Sequence, residues 1–308
     1  MRIGRIAGNG AALALAWVLA LIPGTARPAE NTPGKPIQIG IVNSLFRDTP
    51  PILIGVLSRP LKSLMETQTG VSGELQLAGD AVALADKLKA NKVQLGVFHG
   101  FEFGWAKQHC PELQPLVIAV AQHRMLHAHL VVLKDGGVNC CGDLKGKTVG
   151  LPAVSREHLH LYLERRCPAS GSDPAKFFSR VNRPSDPEEA LDDVVNGRTD
   201  AAIVDRLALD SYQESKPARS LKLRVLQQSE PFPASVIAYY PGSLDDSMLK
   251  RFREGMINAN QSAQSKNLLK MCRITAFEEV PPEFAPLLAE IIKAYPRAIS
   301  AKEGKSDK

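Results

Sequence analysis

Two segments of this chain repeat one local grammar, and that grammar constrains the fold more than any other feature. Asp143–Leu151 (DLKGKTVGL) is a polar loop running into a short apolar stretch, after which an amphipathic segment extends from Ser155 to Arg166. Residues 196–205 (NGRTDAAIVD) end a helix at Asn196-Gly197, pass through a second short apolar stretch and place Asp205 at its carboxyl end. Strand followed by helix, repeated, is the building unit of a largely parallel sheet, and ligands of such sheets sit in the crevice beyond the carboxyl ends of the strands. A helix N-terminus at that place turns unpaired N–H groups and a positive dipole end toward an anion.

The alternation covers the rest of the chain from Pro36 onward. Ile37–Val42 is an apolar strand, Pro51–Gly70 a helix with an expected kink at Pro60 and a stop at Gly70, and ELQLA (74–78) a second strand. Asp80 is placed to cap the next helix, whose Val82, Leu84 and Leu88 form one buried stripe. Val93–Phe98 follows as a strand, Phe101–His109 as a short helix and Pro115–Val120 as a strand, and His129–Lys134 leaves this first unit. A second unit runs from Asp143 to about Glu230, Ser235–Tyr240 returns, and helices over 244–271 (broken near Gln261) and 282–295 pack back on the first. The expectation is an α/β protein of two lobes joined by two crossing segments, each lobe a mostly parallel sheet flanked by helices with a cleft between. Lobe 1 is assigned 36–126 and 236–296, lobe 2 is assigned 127–235, and 297–308 a flexible tail.

The N-terminus reads as an export leader. Arg2 and Arg5 precede the apolar run Ala11–Ile22, and Pro23-Gly24-Thr25-Ala26 supplies small residues for cleavage after Ala26. The run is about a dozen residues where a spanning helix needs roughly 20, although an uncleaved anchor is the alternative. The mature chain is therefore expected in the periplasm. The net charge of +6 comes from dispersed Lys and Arg, part of it in the leader and tail, which fits a solvated surface and not a nucleic-acid partner. Five cysteines (Cys110, Cys140, Cys141, Cys167, Cys272) leave at least one thiol unpaired within a chain. One of Cys140 and Cys141 could pair with Cys110 or Cys167, and no C-x-x-C pair supports redox catalysis or structural zinc.

In four segments the sequence resembles the periplasmic phosphate, phosphite and phosphonate binding proteins that serve ATP-driven importers: the opening IGIVNS, the stretch Val93–Phe103, DLKGKTVGLP and NGRTDAAIVD. The resemblance implies the hinged, two-lobed type II periplasmic binding fold, a small oxyanion ligand, no catalysis, no cofactor, and an ABC permease in the inner membrane as partner of a monomer. A sensor kinase as partner, with an oxyanion or arsenite as signal, is the same-fold alternative. The family's Ser/Thr-rich loop at the second lobe corresponds to Ala153-Val154-Ser155-Arg156, its Gly-Pro after the third strand to His99-Gly100, its Tyr-Arg-Ser before the crossover to His127-Ala128-His129, and Asp205 matches an acidic position near the ligand.

The residues themselves give the candidate ligand set. Ser155 is either an N-cap or an anion donor, and Arg156 adds a bidentate partner. Asn43 and Ser44 follow the first strand, where ordinary turn residues are the competing reading. Gly100 permits close backbone approach and Phe101 could floor the pocket. His99, His127, His129 and His158 fall at strand ends facing the cleft, and His127 and His129 share one face of a strand. They could donate to an anion, bind Zn²⁺ or Cu²⁺ as a metal carrier would, or be unrelated half-buried side chains. Glu102 and Asp205 beside an anion imply either that they point away or that the ligand also carries a cationic group. Nucleophile elbow, Walker loop and H-E-x-x-H motifs are all lacking, so no catalytic residue is assigned.

Overall fold

The computed structural model describes residues 36–47, 49, 51–166 and 173–297, apart from the side chains at 51, 52 and 57. The expected leader, Cys167 and nearly all of the tail lie outside the described residues.

In chain order the elements are β1 (Ile37–Ile41), α1 (Pro51–Leu57), α2 (Arg59–Thr69), β2 (Gly73–Leu77), α3 (Ala81–Lys89), β3 (Leu95–Phe98), α4 (Gly100–His109), β4 (Gln114–Val120), β5 (Met125–Leu126) and β6 (Ala128–Leu133). They continue as β7 (Thr148–Gly150), α5 (Glu157–Arg165), α6 (Pro174–Phe177), β8 (Arg180–Asn182), α7 (Pro187–Val195), β9 (Ala201–Asp205), α8 (Arg206–Ser215), α9 (Pro217–Ser220) and β10 (Leu223–Gln228). The chain closes with β11 (Phe232–Pro233), β12 (Ser235–Tyr239), α10 (Asp246–Ile257), α11 (Ala263–Met271), β13 (Ala276–Glu278) and α12 (Phe284–Ala294).

Local chemistry accounts for most boundaries. The helix expected to kink at Pro60 is two helices, because the chain breaks at Ser58 and Pro60 starts afresh in the first turn of α2, where its missing N–H costs nothing. Gly70, at φ 65°, ends α2 in the left-handed conformation that only glycine adopts cheaply. Asp80 caps α3 by accepting from the backbone N–H groups of Val82 and Ala83. Asp205 does the same for α8 through Ala208. The break near Gln261 is a short 3₁₀ turn, Asn258–Asn260, between α10 and α11.

Two sheets organise the protein. The first has the order β13-β4-β12-β3-β1-β2 and the second β10-β6-β9-β7-β8. Both are mixed. Strands of the βαβ units run parallel (β1 with β2 and β3; β7 with β8 and β9), and strands entering from a crossing segment run antiparallel (β12 with β3 and β4; β6 with β9 and β10). Each sheet buries its own apolar set, Leu84, Leu88, Phe98 and Val236 among one and Leu130, Val149, Leu159 and Ile203 among the other. The crossing segments between the sheets pair with each other in a two-residue antiparallel ladder, Leu126 opposite Phe232 and Met125 opposite Pro233. Cys110, Cys140, Cys141 and Cys272 are free thiols, so the pairing of Cys140 or Cys141 with Cys110 is not formed; Cys110 is buried and Cys140 exposed. Among the described residues no helix is long and apolar enough to cross a membrane.

Candidate functional site

The carboxyl ends of β1 and β3 in the first sheet face the loop after β7 and the start of α5 in the second. Ser44 lies just after β1, and its hydroxyl donates to Glu102 Oε2 at 2.7 Å. Glu102 sits in the first turn of α4 and is 6 % exposed, so it points inward and not away. Burial pushes its carboxyl up to about 7, with the Glu157 charge adding to the rise and the Ser44 hydrogen bond opposing it. Glu102 is protonated at acid pH inside the fold and must ionise against burial above neutrality, whereas in the unfolded chain it ionises near 4.5. Its contribution therefore lowers stability as pH rises from about 4.5 through about 7. Glu102→Gln removes this, and the difference in melting temperature between wild type and variant is expected to change across that window; a flat difference refutes the assignment.

His99 precedes α4, and its ring stacks on Phe101 with centroids 5.6 Å apart and planes at 2°. Burial lowers its imidazole to about 4, opposed by a hydrogen bond to the Ser44 backbone and reinforced by the Arg156 and Arg47 charges. His158, in the first turn of α5, is 2 % exposed and held well below the usual range, first by burial and then by Arg156 and His99. Both rings are neutral at physiological pH.

Across the cleft, Arg47 from the loop after β1 grips Glu157 at the start of α5 with two hydrogen bonds, and its guanidinium also stands 4.0 Å from Glu164. Arg156 reaches in the opposite direction, its Nη2 donating to the Arg273 carbonyl at 3.4 Å while its Nε lies 3.7 Å from Asp205. The positive end of the α5 dipole thus has a carboxylate of the chain's own, Glu157, in its first turn. Arg156, His127 and Asp205 also line a shallow recess with Gln122, His123 and Arg206.

The other expected residues are placed differently. Asn43 is tied to the loop between β2 and α3, exchanging hydrogen bonds with the Gly79 backbone at 2.8 and 3.2 Å, which is the turn role. Ser155 is not the N-cap: α5 begins at Glu157 with Arg156 as cap residue, and the Ser155 hydroxyl donates back to the Pro152 carbonyl at 2.5 Å. Gly100 lies under the crossing segment, and Phe101 belongs to an apolar cluster with Leu161, Phe232, Ile291 and Tyr295 that joins α4 and α12 to α5. His129 is buried on β6, 6.2 Å from the His127 ring. Burial lowers both of these imidazoles. Among the described residues no group of three or more His, Cys, Asp or Glu side chains could hold a metal ion. Arg47 was not anticipated from sequence, and for Glu102 it was the protonation favoured by burial that the sequence did not show.

Residues 56–283 match the family model of the ABC transporter, phosphonate, periplasmic substrate-binding protein. A Xanthomonas citri protein solved with bound ATP superposes with a TM-score of 0.57 at 17 % identity, covering 84 % of this chain and 96 % of that one. A binding-protein component of an ABC phosphonate transporter from Pseudomonas aeruginosa gives 0.50 at 17 % identity, over 87 % of this chain and 91 % of its own. PhnD1 of Prochlorococcus marinus, in complex with methylphosphonate, gives 0.52 at 14 % identity, over 83 % and 97 %. No curated protein sequence matches the chain.

Proposed function

Because the chain belongs to the periplasmic substrate-binding proteins of ABC phosphonate transporters, we propose that it captures a small phosphorus oxyanion between its two lobes and presents the closed form to an inner-membrane permease. The observation that carries this reading is the placement of one guanidinium on each side of the cleft, Arg47 after β1 and Arg156 at the start of α5, with the charge of both felt by the His99 ring at the end of β3. Closure has a physical basis: Arg47 to Glu157 and Arg156 to the Arg273 carbonyl are contacts between elements of different sheets, and a ligand that touches both sides adds its differential affinity to them.

The finer assignments belong to the same proposal. Lobe 1 is 36–126 with 236–296 and lobe 2 is 127–235, as the sheet membership of their strands supports. The leader ends at Ala26, the mature protein acts as a monomer, and it binds without chemistry. Ser44, His99, Arg156, His158 and Asp205 form the ligand set, joined by Arg47 and Glu102, while Asn43, Gly100, Phe101, His129 and Ser155 support the surrounding backbone and core.

Methylphosphonate, the ligand of the Prochlorococcus protein, is the first probe. Thermal unfolding with phosphate, phosphite, methylphosphonate, arsenite and Zn²⁺ tests the reading. A true ligand at about 100 times its Kd adds about 2.7 kcal/mol, a shift of several degrees. The expected result is a shift with a phosphorus oxyanion that Arg156→Ala abolishes. A response confined to Zn²⁺ or arsenite refutes it.

A further inference from the structure

The unused nitrogens of two histidines specify the ligand more narrowly, a step that rests on the oxyanion reading above. His99 is hydrogen-bonded to the Ser44 backbone and His158 to the His127 backbone, each in the sense that favours a protonated ring nitrogen. A carbonyl oxygen only accepts, so the engaged nitrogen of each ring carries the hydrogen. The nitrogen left over is Nε2 in both rings, and it is buried without a protein partner. Burial keeps both rings neutral, and a neutral imidazole with its hydrogen on one nitrogen presents a bare lone pair on the other.

These two acceptors come from opposite sides of the cleft, His99 from the end of β3 and His158 from the first turn of α5. Between them lie Phe101 and Phe232: His99 stacks on Phe101 at 5.6 Å, Phe101 meets Phe232 edge-on at 5.8 Å, and Phe232 meets His158 at 5.4 Å. Apolar walls leave the lone pairs nothing to bond from the protein side. A buried acceptor without a donor costs about 1–3 kcal/mol, and a donor carried by the ligand recovers that cost.

We propose that the cleft selects an oxyanion that still carries a proton: its P–OH donates to the lone pair of His99 or His158 while its ionised oxygens face Arg156. An anion of the same shape and charge with no proton would set its own lone pairs against the imidazole nitrogens. Sites built to hydrogen-bond one group reject the analogue that lacks it far more strongly than apolar pockets reject a missing methylene.

Methylphosphonate and methanesulfonate make the test, because near pH 5, below the second ionisation of a phosphoryl group at about pH 6, both are present as tetrahedral monoanions and only the former bears an acidic hydrogen. Calorimetric titration of the purified protein is expected to show methylphosphonate at least about 100-fold tighter. In the double variant His99→Gln, His158→Gln the ratio should fall toward one, since an amide can turn either its oxygen or its nitrogen to the ligand. The ratio is measured within each protein, so a loss of stability in the variant does not distort it, and the wild-type ratio decides alone if the variant does not fold. Equal binding of the two anions by the wild type, or an unchanged ratio in a folded variant, overturns the proposal while leaving oxyanion capture intact. Failure to bind methylphosphonate, phosphate or phosphite at all overturns both.

Discussion

Phe232→Ala is expected to cost about 3–5 kcal/mol, the range for emptying a fully buried aromatic site. The Phe232 ring is 0 % exposed and is the hub of the cluster between the lobes, 5.8 Å from Phe101, 4.8 Å from Tyr295 and 5.4 Å from His158. The neighbours cannot collapse into the space, because Phe101 and Tyr295 hang on α4 and α12 and His158 on α5, elements fixed by their own cores. Urea unfolding should show a lower midpoint with an unchanged slope. A loss below about 1 kcal/mol would mean that the cluster repacks freely and does not couple the lobes. Tyr295 ties the same cluster to the crossing segment, its hydroxyl donating to Glu230 Oε2 at 2.8 Å while Arg166 from the end of α5 pairs with Glu230 as well.

The second large effect comes from the smallest change. Gly100 opens α4, so propensity alone would have alanine stabilise the helix by up to about 1 kcal/mol. A Cβ there would stand 2.4 Å from the Pro233 carbonyl oxygen and 2.5 Å from that of Ala234. Both are backbone atoms of the crossing segment that feeds β12, between β3 and β4, so neither moves without displacing a central strand. Gly100→Ala is therefore expected to destabilise by about 1–3 kcal/mol, as overpacking does, and to weaken ligand-induced closure because the shifted segment is one of the two connections between lobes. Calorimetric melting shows the first and small-angle scattering with and without methylphosphonate the second. A variant as stable as wild type would mean that the crossing segment yields to the added methyl group at little cost.

What the sequence made legible was local. Asp80 and Gly70 signal their helix ends through hydrogen bonds spanning a few residues, and the βαβ order followed from apolar runs between them. The edge strand β10 was missed because LRVLQQ alternates weakly and becomes a strand only by pairing with β6, roughly ninety residues earlier. The ladder of β5 and β11 is two residues long and carries no pattern at all. The same distinction governs the site. Strand ends placed Ser44, His99 and His158 near the cleft, but Arg47 acquires its meaning from Glu157, 110 positions away. Glu102 looked unfavourable beside an anion because its protonation depends on burial that no sequence pattern states. For Ser155 a cap and an anion donor read equally well in the sequence, and the structure gives its hydroxyl neither role: the helix starts two residues later, and the hydroxyl closes the Pro152 turn.

The position of β12 in the first sheet has a consequence for the order of events during synthesis. β3 and β4 do not pair with each other; β12 lies between them and bonds to both, Val236 opposite Phe98 on one side and Ile118 on the other. A nascent chain that has emerged only as far as the second lobe therefore holds two apolar strand edges open in the first, while the strands of the second lobe's sheet are already all available. The later half of the molecule can be complete before the earlier half, and an unfinished first sheet keeps the growing chain from locking shut until almost all of it has been made.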